Sequence, residues 1–208
     1  MPLLQLEVEV VGIDLAGSEH RPTGFCVMNN RHKCETKILY SDTEILESTY
    51  HTNAKLVSID APLSLPKGRK SINNASGPKF RKCDLALMRM HIRFFPIVLG
   101  PMRMLTQRGI RLKQALEEKG YKVIESYPGG AQDMLGVSRK GEGIEKLRKG
   151  LADLGIKCAV HAETDHELDA ITCALVGIDF LNNKYLALGD EKEGQIIMPK
   201  PAQNSRSY

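Results

Sequence analysis

Val11-Gly12-Ile13-Asp14-Leu15-Ala16-Gly17-Ser18 is the stretch on which the reading of this chain turns. An apolar, β-like run from Leu6 ends in an aspartate, and small residues then turn the backbone sharply. That ending places a carboxylate at the carboxyl end of a buried strand, beside backbone amides that suit a phosphate or a metal. The same form recurs at Val57-Ser58-Ile59-Asp60 and at Val123-Ile124-Glu125. The repetition gives the first stretch its weight.

Working outward, Leu6 to Asp14, Gly24 to Met28 and Lys33 to Tyr40 read as three strands of an antiparallel meander, the third alternating Cys34, Thr36, Ile38 and Tyr40 with polar residues. Ser41 or Asp42 caps a helix to about His51, and Leu56 to Ile59 is a short strand closed by Asp60. Leu63 to Phe80 carries Pro66, Gly68, Asn73, Asn74, Gly77 and Pro78, an irregular stretch of a length usually tied to function or mobility. Helices are expected over Arg81–Arg93 and Gly100–Lys119, then a strand over Tyr121–Tyr127. Shorter helices follow at Ala131–Leu135 and Ile144–Leu154, separated by the basic, Gly-rich Ser138–Gly143. In Thr164–Leu181, Thr164 and Glu167 form a capping box, and Leu168, Ile171, Leu175 and Ile178 make an inward stripe. Tyr185–Leu188 and Ile196–Met198 are expected as a small hairpin or edge strands, and 200–208 as a frayed tail. This order implies one mixed-sheet α/β domain over residues 1–199.

Composition narrows the class. With 42% hydrophobic and 26% charged residues in 208, the chain is an ordinary globular sequence. No apolar run approaches the ~18 residues that cross a bilayer, and Met1 to Val10 lacks the form of a signal peptide, so a cytoplasmic protein without a membrane partner is expected. The five cysteines, Cys26, Cys34, Cys83, Cys158 and Cys173, have neither zinc-ligand nor redox-motif spacing and read as reduced thiols. Net charge is +4, but Ala61 to Lys113 holds twelve Lys/Arg against Asp84 alone, +11, leaving −7 elsewhere. Such asymmetry fits an electropositive face meeting an anionic partner, although charge runs are also simply solvated helix faces. Aromatics are few and Trp is absent, so no base-stacking platform is evident.

The strands that end in Asp14, Asp60 and Glu125 are expected as parallel neighbours, with their carboxyl ends at a common crevice. Asp165 and Asp169, at i and i+4, share one face of the last long helix, with His166 beside them. Clustered carboxylates repel and raise one another's pKa, an arrangement that makes sense around a divalent cation. Oxygen ligands suit Mg2+ or Mn2+, and two such ions ~3.5–4 Å apart can activate water and stabilise the leaving oxygen of a phosphodiester. Asp14, Asp60, Glu125 and Asp169 are the catalytic candidates; these four and Asp165 are the metal-ligand candidates, with His166 beside the ligands. Arg81, Arg103, Arg108 and Arg111 are candidates for phosphate contacts with DNA or RNA. Four of the acids also have a structural reading: Asp14 accepting bonds within its turn, Asp60 forming an Asx turn, Glu125 pairing with a basic residue, Asp165 complementing a helix dipole. Asp169 stands one turn further in, beside the apolar stripe.

Gly12-Ile13-Asp14-Leu15-Ala16, Ile59-Asp60-Ala61-Pro62-Leu63, Arg81-Lys82-Cys83-Asp84, Gly100-Pro101-Met102-Arg103, Leu105-Thr106-Gln107-Arg108-Gly109, Glu125-Ser126-Tyr127-Pro128-Gly129 and Asp165-His166-Glu167-Leu168-Asp169-Ala170 occur in this order. Together they resemble an uncharacterised family of predicted nucleases with a ribonuclease H-like fold, the domain of unknown function four-two-nine. The resemblance spans Val11 to Pro199. It implies a five-stranded mixed sheet of order 3-2-1-4-5 with helices on both faces, and a first metal-binding Asp on strand one. By similarity to Holliday-junction resolvases of that fold, Asp14 and the acids of the last helix would be ligands, with Asp60 or Glu125 supplying the remaining one. Asp165 and Asp169 stand four apart where three is usual in those resolvases, which brings His166 into the matching position.

The expected function is therefore a divalent-metal-dependent nuclease hydrolysing phosphodiester bonds. A non-catalytic nucleic-acid-binding module on the same fold is the alternative. Gly12-Ile13-Asp14-Leu15 also resembles the phosphate loop of actin-like ATPases, but those need two such domains around a nucleotide, and 208 residues are too few.

Overall fold

The computed structural model describes residues 9–74 and 76–201. Val10, Val11 and Ile13 leave strand β1 (Glu9–Asp14) almost wholly buried, as a strand covered on both faces requires. β1 pairs antiparallel with β2 (Thr23–Asn29), and β2 with β3 (Cys34–Leu39). On its other side β1 pairs parallel with β4 (Leu56–Asp60), which pairs parallel with β5 (Lys122–Ser126). The expected core order 3-2-1-4-5 is present. A hairpin of β6 (Tyr185–Asp190) and β7 (Gly194–Pro199) extends it through β7, which runs parallel to β5, giving the order β3-β2-β1-β4-β5-β7-β6 among the described residues.

Alternation along β1 decides which helix meets which face. Val11 and Ile13 join Ile59, with Ile45 of α1 (Asp42–Tyr50) and Leu112 and Leu116 of α3 (Gly100–Glu118), in one core. Val10 faces the other way, into a core with Ala170, Ala174 and Ile178 of α6 (Asp165–Leu181). Between them, Gly12 lets α6 lie directly on the strand: a methyl there would overlap the Ala170 carbonyl oxygen and the Ala174 amide. Gly24 on β2 makes the same allowance for the His166 carbonyl. These two glycines bring the first turns of α6 down onto the end of β1.

The remaining helices are α2 (Lys82–Arg89), α4 (Pro128–Leu135) and α5 (Ile144–Asp153), with one-turn 3-10 helices at Lys140–Glu142 and Lys157–His161. The helix expected over Arg81–Arg93 stops at Arg89, and His91 then takes the left-handed φ of 57° that ends it. α4 begins three residues before the expected Ala131, because Pro128 suits a first helical turn. The segment after β4 is tied from within by buried Arg69, whose guanidinium donates to the carbonyls of Ser71, Asn74, Gly77 and Pro78.

Three expectations are corrected or fall outside the described residues. Cys34 and Cys158 are joined in a disulfide, while Cys26, Cys83 and Cys173 are buried free thiols. The pair is 124 positions apart, so spacing could not reveal it; the fold sets β3 beside the 3-10 turn at Cys158. The start of the first expected strand, residues 6–8, and 202–208 of the expected tail lie outside the described residues. No described helix is long and apolar enough to cross a membrane.

Candidate active site

The parallel register places Asp14 directly opposite Asp60 at the ends of β1 and β4. Side chains alternate along a strand, so both point to the α6 side, in line with Ser126, the register partner of Asp60 on β5. α6 completes the group, since its capping box at Thr164 and Glu167 fixes where the helix starts. His166 Nδ1 lies 2.7 Å from Asp14 Oδ2, and Asp169 is buried in the crevice. Gln132 of α4 donates from Nε2 to Asp169 Oδ1 at 2.8 Å. Asp14, Asp60, Asp169 and His166 are thus brought to one place at the topological crevice of the sheet.

A cation from the protein itself enters this group. Lys140, on the 3-10 turn between α4 and α5, reaches in so that Nζ lies 2.8 Å from Asp169 and 3.1 Å from Asp165. Burial pushes the Asp60 carboxyl well above the usual range, and the Asp14 and Asp169 charges add to it. Asp169 is also raised, by burial first and then by Asp14, against the opposing pull of Lys140 and Gln132. At Asp165 burial acts upward, but the hydrogen bond and charge of Lys140 outweigh it and hold the carboxyl below its usual value. The hydrogen bond to Asp14 raises His166 above the ordinary imidazole range. The group is therefore rich in negative charge, with Lys140 as a partial counterion.

Glu125 does not join it. It precedes Ser126 by one position, so alternation turns it to the opposite face, the side of Ile59 and Leu63. Both its oxygens are taken there: Arg81 donates to them at 2.6 and 2.7 Å, and the Leu63 amide donates to Oε2. The same guanidinium holds Asp84 at 2.8 Å, and all three residues are buried. This corrects two expectations at once, since Arg81 is an internal clamp rather than a phosphate contact and Glu125 is its partner rather than a metal ligand. Arg108 is corrected likewise. It is buried and donates to Asp42 and to the Ala16 and Tyr40 carbonyls, holding the turn after β1 against the start of α1. Arg103 is half-buried and bonded to the Val98 carbonyl, whereas Arg111 stays exposed. The basic block keeps Lys67, Lys70, Lys79, Lys82, Arg89, Arg93 and Arg111 on the surface.

The donor chemistry at Asp14, Asp60 and Asp169 fits a hard divalent cation: carboxylate oxygens, crowded and short of positive charge. Lys140 is the internal stand-in for that charge. As arranged, however, no three acid, histidine or cysteine side chains among the described residues are grouped to hold one ion. The donors fit in kind, with Lys140 bonded to Asp165 and Asp169 and His166 bonded to Asp14. Sequence reading missed Lys140 and Gln132. The basic Ser138–Gly143 connection was a signal for the first, and the second had none.

Sheet order, strand directions and the helix across the strand ends define a ribonuclease H-like fold. Among solved structures, the chain is similar to T. thermophilus RuvC in complex with a Holliday junction substrate, at 15% identity and a TM-score of 0.50, over 84% of this chain and 96% of that one. Residues 12–193 match the family described as "Protein of unknown function (DUF429)", and the chain belongs to that family. No curated protein matches the sequence.

Proposed function

We propose that the protein is a divalent-metal-dependent nuclease whose site is the crevice of Asp14, Asp60 and Asp169. The observation that carries this reading is the register of Asp14 with Asp60 on adjacent parallel strands, capped by Asp169 from α6. One or two Mg2+ or Mn2+ ions held by these carboxylates would supply a polarised water and charge for the phosphodiester oxygens. His166 orients the Asp14 carboxylate by its 2.7 Å hydrogen bond, and Gln132 does the same for Asp169. Lys140 balances Asp165 and Asp169 until other positive charge arrives. Exposed Arg93 and Arg111, with the lysines of the basic block, offer contacts to the phosphate backbone of DNA or RNA. Glu125 is left out of the ligand set because Arg81 occupies it.

The test is Asp14→Asn assayed on labelled oligonucleotides with Mg2+ and Mn2+. Loss of cleavage with retained binding supports the reading; unchanged cleavage sinks it. The Lys140 contacts and the lack of a three-ligand group among the described residues favour a second reading, a nucleic-acid-binding module without catalysis. Calorimetric titration with Mn2+ separates the two, since that module has no reason to bind metal at Asp14. A cytoplasmic setting belongs to the first reading. Thiol trapping during extraction tests it, because a Cys34–Cys158 bridge intact in cells argues against a reducing compartment.

A further inference from the structure

Four of the eleven Phe and Tyr residues of this chain gather in one place. Of its five phenylalanines, Phe80, Phe94 and Phe95 converge with Tyr127 along one groove of about 900 Å3 beside the acidic crevice. Phe80 and Phe94 meet edge to face with centroids 6.2 Å apart. Phe95 stands 70% exposed and Met88, on the facing side of α2, 50% exposed. Large apolar side chains left in water at this density mark a binding surface. Two arginines line it: Arg93 is exposed, and the Arg139 guanidinium, which also pairs with Asp133, lies 5.8 Å from the centroid of the Tyr127 ring. A second hollow, of about 310 Å3, shares Phe94, Phe95 and Tyr127 with the groove and is also lined by Asp60 and Lys140. The aromatic wall therefore leads from solvent to the carboxylates.

We infer that this groove is a stacking platform for unpaired nucleobases, which makes the preferred substrate a single-stranded segment. The inference rests on the nuclease reading and narrows its substrate. Exposed rings beside arginines bind a flat π system joined to a polyanion, and charge complementarity distinguishes that occupant from an apolar peptide. Bases within a duplex are already stacked on both faces and cannot lie on Phe95, whereas splayed bases can. A strand resting its bases on Phe94 and Phe95 carries its backbone towards Asp60. No such platform is evident in the sequence because Phe80, Phe94–Phe95 and Tyr127 come from three separate segments and meet only in the fold.

The chain has no Trp, so Phe95→Trp introduces a sole indole reporter. Binding is measured in EDTA, without cleavage, for a deoxythymidylate 15-mer, an abasic 15-mer and a blunt duplex of equal length. The expected result is tight binding of the deoxythymidylate strand by the wild type and by Phe95→Trp, with quenched indole fluorescence. Phe95→Ala should bind that strand about tenfold more weakly, as loss of one stacked base implies. It should bind the abasic strand and the duplex as the wild type does. Equal binding of the deoxythymidylate strand by wild type and Phe95→Ala overturns the inference and leaves the nuclease reading standing, as does an equal loss for all three probes. So does self-association in light scattering that Phe95→Ala abolishes, which assigns the groove to a second copy. Failure of every oligonucleotide to bind the wild type removes the nucleic-acid reading itself.

Discussion

The Lys140 ammonium lies 2.8 Å from the Asp169 carboxylate and 3.1 Å from that of Asp165, on a turn outside the sheet and the helix that carry the acids. A lysine held this way competes with any cation the acids would bind. Lys140→Met is therefore expected to tighten Mn2+ binding about fivefold, since a partly exposed ion pair contributes about 1 kcal/mol. Isothermal calorimetry reads the change directly. Unaltered or weaker Mn2+ affinity in the variant would show that Lys140 does not compete for the site.

His166 should hold its proton to higher pH than a free imidazole in the metal-free protein. The hydrogen bond to Asp14 raises the imidazole above its usual value of about 6.5. A raised folded-state pKa means that this contact stabilises the fold fully below the unfolded value and loses its contribution as pH rises through the folded one. NMR titration should place His166 above the ordinary imidazole value, and Asp14→Asn should bring it back down. An imidazole that titrates identically in both proteins would refute the coupling.

Arg81 tests the reassignment of the basic block. It sits between Glu125 and Asp84 with all three buried, so its removal strands two carboxylates in the interior. Arg81→Met should cost about 3–5 kcal/mol in denaturant unfolding. Exposed Arg111→Ala should leave stability within about 0.5 kcal/mol while weakening oligonucleotide binding and flattening its salt dependence. A stable Arg81→Met protein would show that the clamp does not hold the fold.

The Cys34–Cys158 bridge closes a loop across most of the chain. Cys34→Ser should lower stability by about 2–4 kcal/mol under non-reducing conditions, and the difference should vanish in excess dithiothreitol. Peptide mapping without reduction should recover the two cysteines linked. Finding both alkylated in the untreated protein would exclude the bridge.

The apolar strand signal of Val10–Ile13, from which face alternation follows, the acid endings at Asp14 and Asp60, and the Thr164–Glu167 capping box are local signals, and each is present in the structure because each depends on neighbouring residues. They sufficed to expect β1, β4 and β5 as parallel neighbours with Asp14 and Asp169 on adjoining elements, while the order 3-2-1-4-5 was what the family resemblance implied. The same alternation would have separated Glu125 from Asp60 had the register between β4 and β5 been known. A slip of one residue exchanges the faces, and nothing local to either strand states the pairing.

Asp14 was legible because its strand, its turn and its neighbouring glycine all point to one geometry within eight residues. Lys140 in the carboxylate cluster, Arg81 between Glu125 and Asp84, Cys34 bonded to Cys158 and the phenylalanines gathered beside Tyr127 were not. Each of these joins segments far apart in the chain, and a charge, a thiol or a ring has no directional preference along the sequence. Its partner is chosen by which elements the two hydrophobic cores press together, and that choice exists only in three dimensions.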